Sequence, residues 1–353
     1  MPIVAIDATL VAGVNTGDTS YWTGLLGGLK KLDSEFKFIL LSNKERPPSL
    51  DLGGQFSWRR LPARNRRWFS LVTMPLAARK LGADAFHTQY TLSPLARNGI
   101  TTVHDVSFFI GPQWFKARDL FLIRRTVPAS AKRAKAVITV SETSKSDIVR
   151  HLGVDPSKVF VTYNAAADFF RPTDPADAKR KLGIDGPYLL TIGARWPRKN
   201  LALAIRAVGL LPAHLPHKLL VIGKEGWGDE GGNSRTVSTG YIPNDQLPAL
   251  YSGASLYLFP SFYEGFGIPM LEAFACGAPV LASKGGALPE VSGGAAEIME
   301  DWTPEAWAAR IEALLSDSSK LAQMVERGVK RAAEFTWEKA ARKTLDVYRK
   351  VCR

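Results

Sequence analysis

The chain has 353 residues, 46% of them hydrophobic and 22% charged, with a formal net charge of +13. This is the composition of an ordinary folded protein, long enough for two α/β domains, and it excludes low-complexity and collagen-like chains. No apolar run reaches the roughly 18 residues of a membrane-spanning helix, and the two cysteines, Cys276 and Cys352, indicate neither a disulfide framework nor a Cys/His metal site.

The opening Pro2-Ile3-Val4-Ala5-Ile6-Asp7 lacks a basic leader and reads as a first strand, so the expected location is the cytoplasm. Strand-like runs follow near Phe36–Leu41, Asp84–Thr88, Ile100–Val103, Ala136–Val140 and Val159–Tyr163. Helical patterns lie between them at Thr19–Lys31, Trp68–Leu81, Asp119–Ala134 and Thr143–His151. A new set begins at Tyr188–Gly193 and continues through Lys218–Ile222, Ser255–Phe259 and Pro279–Ala282. Such alternation predicts parallel sheets built from β-α-β units. Thr303-Pro304-Glu305 is an N-cap with proline at the first helical position, and Thr336-Trp337-Glu338 begins a last helix to about Lys350. The polar, proline-bearing stretch Asp168–Pro175 reads as a linker. The expected organisation is a domain over 1–168, a second over 169–335, and a helix over 336–353 crossing back to the first, with a cleft between the domains.

The charge is uneven. Residues 1–170 hold 23 Lys and Arg against 13 Asp and Glu, a net +10, and the remainder carries +3. Trp58-Arg59-Arg60 through Arg64, Arg66, Arg67, Trp68 and Phe69 is one basic stretch, and Lys116 to Lys135 is another. Basic residues beside aromatic ones suit an anionic membrane surface; a solvated basic face explains them equally. No nucleic-acid-binding module is visible.

Glu264-Gly265-Phe266-Gly267-Ile268-Pro269-Met270-Leu271-Glu272 follows the buried run Ala254–Pro260 and leads into a helix expected over Pro269–Cys276. It therefore lies at a strand's carboxyl end, where open α/β sheets bind ligands. Backbone N–H groups at the helix start suit an anion, and the two carboxylates frame the place. Cys276 lies in that helix and reads as packing. Gly193-Ala194-Arg195-Trp196-Pro197-Arg198-Lys199-Asn200 also leaves a strand and enters a helix, Leu201–Leu211. Three cations beside a helix N-terminus suit a diphosphate, and without an anion they cost stability. Gly13–Tyr21 forms a glycine-bearing loop after the first strand, with Asp18 expected as a helix N-cap. His104 ends an apolar strand on the same side, and His87 ends another; His151, His214 and His217 look peripheral. No Asp-x-Asp pair or other carboxylate cluster suits Mg²⁺ or Mn²⁺, so no metal cofactor is expected.

Taken together, these segments resemble retaining glycosyltransferases of family 4, with the GT-B fold. The resemblance rests on Phe259–Pro269 with Glu272, Ala275–Val280, Leu288–Val291, Val103-His104-Asp105 with Phe108-Phe109, Val140–Ser144, Pro197–Asn200 and Gly240-Tyr241-Ile242. It covers nearly the whole chain and implies an α/β fold of two Rossmann-like domains facing across a cleft. It implies that Lys199, with Arg195 or Arg198, holds the donor diphosphate and that Glu272 accepts hydrogen bonds from the ribose. Glu264 and the backbone N–H groups of Phe266, Gly267 and Ile268, beside Gly265, would hold the donor sugar and distal phosphate. The Gly240–Ile242 backbone, with Tyr241, would meet the base, Gly17 the phosphates, and His104 the sugar near the reacting carbon. Retention also comes from the resemblance, and front-face attack is favoured because no carboxylate is an evident nucleophile. Thr16-Gly17-Asp18-Thr19 and Tyr163–Asp168 depart from the commoner family loops.

The expected function is transfer of a hexose from a nucleotide-diphosphate sugar, with mannose from GDP-mannose as the best candidate by analogy, to a glycan or lipid-linked acceptor. The alternatives are a non-catalytic envelope scaffold with a degenerate site and a Rossmann-type oxidoreductase. The second lacks a Gly-x-Gly-x-x-Gly fingerprint after the first strand followed by an acidic residue at the right distance, and an ATPase lacks its phosphate loop.

Overall fold

A computed structural model of the chain describes residues 1–11, 17–48, 50–224 and 232–352. Two compact units are present: Met1–Ala165 together with Thr336–Arg353, and Ala166–Phe335. Each is built on a parallel sheet, the architecture of a Rossmann-like domain of the GT-B type.

In the first unit the strands are β1 (Ile3–Asp7), β2 (Lys37–Ser42), β3 (Phe56–Arg60), β4 (Ala85–Gln89), β5 (Gly99–Thr102), β6 (Ala136–Thr139) and β7 (Val159–Val161). Their order is β3-β2-β1-β4-β5-β6-β7, all parallel. Strands buried on both faces favour apolar runs, as in β1 and β6, while the equally buried β4 and β5 carry His87, Thr88, Thr101 and Thr102 into the interior. Phe86, Val103, Val127 and Ile148 belong to the core packed with that sheet. The first helix, Gly17–Lys30, carries the C-terminal helix, Trp337–Val351, across a glycine face: Gly24 lies under the indole of Trp337 and Gly28 under its carbonyl. Ion pairs Lys31–Glu338 (2.6 Å) and Arg349–Glu35 (2.6 Å) flank that contact.

The second unit has β8 (Tyr188–Ile192), β9 (Lys218–Ile222), β10 (Thr236–Gly240), β11 (Leu256–Phe259), β12 (Val280–Ser283) and β13 (Glu297–Met299), in the order β10-β9-β8-β11-β12-β13, again all parallel. Its core includes Leu189, Leu258, Leu281, Trp307 and Ile311. The stretch read as a linker is packed on this unit: Phe170 is buried against Tyr251, and the Thr173 N–H donates to Ser252 Oγ at 3.0 Å.

Three strands, β3, β10 and β13, were not expected from the sequence, and each is an edge strand. Edge strands face solvent and tolerate charge, which also discourages pairing with other chains. Arg59 and Arg60, read as part of a basic stretch, stand on β3. Asp18 lies in the first turn of the helix that opens at Gly17, so it is not the N-cap; Gly13–Thr16 of that loop are outside the described residues.

Candidate functional site

In the second sheet the chain runs from β8 outward to β9 and β10, then returns to place β11 on the opposite side of β8. The carboxyl ends of β8 and β11 therefore flank a topological switch point, where doubly wound sheets bind ligands. After β8, residues Pro197–Lys199 make one 3₁₀ turn, and Asn200 is left-handed (φ 49°) before helix Leu201–Gly209. After β11 comes the Pro260–Gly267 loop. The two loops are joined by hydrogen bonds: the Phe262 N–H donates to Arg198 O at 2.9 Å, Asn200 Nδ2 to Pro260 O at 3.2 Å, and the Arg198 guanidinium to Tyr263 O.

Glu264 closes this junction. Its carboxylate accepts from Lys199 Nζ at 2.6 Å and lies 3.1 Å from Arg198 Nη1. Burial alone would raise the Glu264 pKa, but the charges of Arg198 and Lys199 outweigh it and hold the carboxyl down at about 2. The cations that the sequence placed at a helix start are thus neutralised by a carboxylate from the neighbouring loop. The Glu264 backbone is pinned as well: its carbonyl accepts from the Ala287 N–H at 2.9 Å, and a Cβ on Gly286 would come within 2.3 Å of that oxygen. Gly267 adopts φ 100°, a conformation side chains disfavour, and starts the helix Ile268–Ala275 with Pro269 in its first turn.

Glu272, on that helix, accepts from the Tyr251 hydroxyl at 3.0 Å. Burial pushes its carboxyl up to about 7, against the opposing pull of the Tyr251 bond and the Lys199 charge. One loop thus holds a carboxylate that stays ionised, and the helix beyond holds one that titrates near neutrality. Gly265 and Phe266 are buried between them, with the Phe266 ring edge-on to Phe335 at 5.7 Å. At the end of β10, Ile242 is buried and Tyr241 is 47% exposed, with Lys224 Nζ 4.9 Å from its ring. The Arg195 N–H donates to Lys224 O at 3.1 Å, which brings Arg195 to the same edge. The second unit therefore gathers Arg195, Arg198, Lys199, Tyr241, Ile242, Glu264, Gly265, Phe266, Gly267, Ile268 and Glu272 along the carboxyl edge of one sheet.

Residues 174–331 match the family model described as glycosyl transferases group 1, and residues 17–166 match that of glycosyltransferase family 4. The chain is 33% identical to an O-antigen chain mannosyltransferase B of Escherichia coli over 71% of its own length and 70% of the relative's. The chain belongs to the family 4, group 1 glycosyltransferases of GT-B fold. It is also 27% identical, over 62% of its length, to a longer serotype-specific mannosyltransferase of Escherichia coli, of which the match spans 29%. In fold it is similar to a sucrose-phosphate synthase from Thermosynechococcus elongatus (TM-score 0.78, 21% identity, 99% of both chains). As a family 4 glycosyltransferase it transfers a sugar from a nucleotide-diphosphate donor.

Two side chains of this glycosyltransferase that meet the candidate residues were not singled out from the sequence. Tyr251 holds Glu272, and Lys224 follows the glycine that ends β9 and stacks on Tyr241. The position of Lys224, one residue past a strand-terminal glycine like Gly193, was the available signal. Among the described residues, no group of three or more His, Cys, Asp or Glu is placed to share a metal ion, and no helix is long and apolar enough to cross a membrane.

The first unit of the glycosyltransferase brings two predicted residues near one another. His104 lies just beyond β5, and its Nε2 is 3.7 Å from Asp18 Oδ1 in the first turn of the helix that Gly17 begins. Burial lowers the pKa of His104, with Asp18 and Asp105 pulling the other way. Asp105 accepts from the Ser107 N–H at 2.8 Å and so turns the chain into its next helix. His87 lies within β4, fully buried, rather than at its end.

Proposed function

We propose that this chain is a retaining hexosyltransferase that moves mannose from GDP-mannose to a glycan or lipid-linked acceptor without a metal ion. The observation that carries the reading is the Arg198–Lys199–Glu264 cluster at the switch point, beside Glu272. A leaving diphosphate needs preorganised positive charge where its own charge develops. Arg198 and Lys199, with Arg195, supply it, and the loop hydrogen bonds fix them before any donor arrives. Glu272 is assigned to the ribose hydroxyls, and Tyr241 and Ile242 to the base. The Gly265–Ile268 backbone is assigned to the sugar and distal phosphate, and Glu264 to the sugar near the reacting carbon. On the first unit, Gly17 is assigned to the phosphates and His104 to the sugar near the reacting carbon. The bond from the anomeric carbon to the phosphate oxygen breaks and one to the acceptor oxygen forms on the same face. The acceptor's proton passes to the departing phosphate. Mannose is chosen because the two relatives named above are mannosyltransferases; that is analogy.

A thermal-shift screen with GDP-mannose, UDP-glucose and ADP-glucose, followed by slow-hydrolysis assays, tests the donor. Stabilisation and turnover with GDP-mannose alone support the reading; a response to a different donor removes the mannose assignment. Inertness towards all three favours the scaffold alternative.

We assign the basic first unit to an anionic membrane surface on the cytoplasmic side. Helix Ala117–Arg133 supports this: Phe121 is 63% exposed and Leu122 40%, and Arg125 lies 4.8 Å from the Phe121 ring. Cations around exposed apolar groups suit a headgroup layer. Sedimentation with anionic and neutral vesicles across a salt series checks it, because screening weakens the anionic case alone.

A further inference from the structure

His104 is partly buried, and its buried Nε2 has no hydrogen-bond partner among the described residues, with Asp18 standing off at 3.7 Å. Packing rather than hydrogen bonding at that nitrogen locates the ring. Two tyrosines supply the packing. Tyr21 meets it edge-on with centroids 4.7 Å apart and planes at 82°, and Tyr90 meets it at 5.8 Å and 63°. Tyr90 is itself held at φ 58°, an uncommon backbone conformation for a side chain of its size.

Tyr21 is the end of a buried chain of polar groups. Its hydroxyl lies 3.1 Å from Thr102 Oγ1, Thr102 Oγ1 lies 2.8 Å from His87 Nε2, and His87 Nδ1 lies 2.7 Å from the Tyr348 hydroxyl. Four elements of the first unit meet here: the first helix, β5, β4 and the C-terminal helix. All four side chains are buried, at 1% exposure or less. Burial, with His104 nearby, pushes His87 down to about 3, so it is neutral. A neutral imidazole donates from one nitrogen and accepts at the other, which lets the bonds to Tyr348 and Thr102 run head to tail. Phenylalanine, leucine or valine would fill this volume without desolvating four polar groups, so net stability gives little reason for the chain. A satisfied buried polar chain instead fixes one side-chain arrangement.

We propose that Tyr21 is the positioning residue for His104, and that Tyr348 on the C-terminal helix sets Tyr21 through His87 and Thr102. This rests on the reading of His104 as the group that meets the donor sugar. None of the four touches substrate. Each acts by holding the next, and the C-terminal helix, through Tyr348, becomes part of the apparatus that orients the imidazole.

The test uses the full chain with isotope-labelled histidine and the variants Tyr21→Phe, Tyr348→Phe and both together, with His104→Gln alongside. Each removed hydroxyl leaves ring volume unchanged, and melting curves establish that the variants fold. The expected result is that Tyr348→Phe shifts the His104 ring resonances. Tyr21→Phe should lower kcat about tenfold with donor KM unchanged. The double variant should lose no more than Tyr21→Phe alone, since members of one chain are not additive. His104 resonances unmoved in both single variants overturn the proposal. Resonances that move while His104→Gln keeps full activity leave the positioning chain standing and remove the role assigned to His104.

Discussion

Lys199 Nζ sits 2.6 Å from Glu264 Oε1, so an internal carboxylate occupies the cations that a diphosphate would use. Charges this close interact by a few kcal/mol even at an effective dielectric near 20. Glu264→Gln removes a competitor for Arg198 and Lys199. Its affinity for a nucleoside diphosphate should rise by about tenfold, while transfer falls because the sugar loses its contact. Titration calorimetry with the diphosphate alone checks this. A weaker affinity in the variant would show that Glu264 helps to hold the phosphate instead of standing in for it.

Lys199→Ala should cost the donor about 2 kcal/mol, the scale of one charge-assisted hydrogen bond to a phosphate. Glu272→Ala should cost a similar amount through the ribose. Full affinity in both would remove the site assignment.

Donor binding should depend on pH through Glu272. Its carboxyl is raised to about 7, and the ribose hydroxyls need an ionised acceptor. A nucleotide-diphosphate sugar has no proton of its own to lose near neutrality. Affinity should therefore tighten as pH rises through about 7 and level off above it, with Glu272→Gln flat over the same range. Tyr251→Phe removes a hydrogen bond that favours the charged form, and should move the inflection to higher pH.

The two glutamates pull stability in opposite directions with pH. For Glu264 the folded pKa of about 2 lies below the ordinary 4.5. Its contribution, of order 3 kcal/mol, is present above 4.5 and is lost as pH falls towards 2. For Glu272 the folded pKa lies above 4.5, so the folded state is favoured below 4.5 and loses that advantage as pH rises towards 7. Urea midpoints at pH 3 and pH 6 should separate wild type from Glu264→Gln more widely at pH 6. An equal gap at both would mean that the ion pair contributes nothing.

Gly28→Ala should destabilise the first unit by about 1–3 kcal/mol, the cost of overpacking. The added Cβ would stand 2.2 Å from the Trp337 carbonyl oxygen, a backbone atom that moves only with its helix. Gly27→Ala, on the same helix with nothing within 4 Å, is the control and should stabilise by up to about 1 kcal/mol. Thermal melts of the two variants decide it; a Gly28→Ala protein as stable as Gly27→Ala would show that the helix contact yields freely.

Much of this was legible in the sequence, and what was not has a common cause. Strands such as Leu256–Phe259 are buried on both faces and show it as unbroken apolar runs. Phe56–Arg60 and Thr236–Gly240 lie at sheet edges, where one side meets water and the run is broken by Arg, Ser and Thr. The segments bearing Glu264, Glu272 and Lys199 were visible as motifs because they follow strands. That Lys199 and Arg198 close on Glu264 was not, since 65 residues separate Lys199 from it and only the β8–β11 pairing brings them together. Nor could Tyr251 be found, because a tyrosine in an apolar helix is usually packing and nothing in its neighbours marks the hydroxyl.

The first unit is discontinuous: residues 1–165 fold with 336–353, and all of the second unit is made in between. At ribosomal speeds of about 5–20 residues per second, that delay is of order 10 seconds or more. During it Gly24 and Gly28 have no indole above them, and His87 lacks the hydroxyl of Tyr348. The first half of the chain therefore emerges with an exposed apolar helix face that only residues 336–353 cover. Synthesis order thus makes the second unit the earlier of the two to be finished.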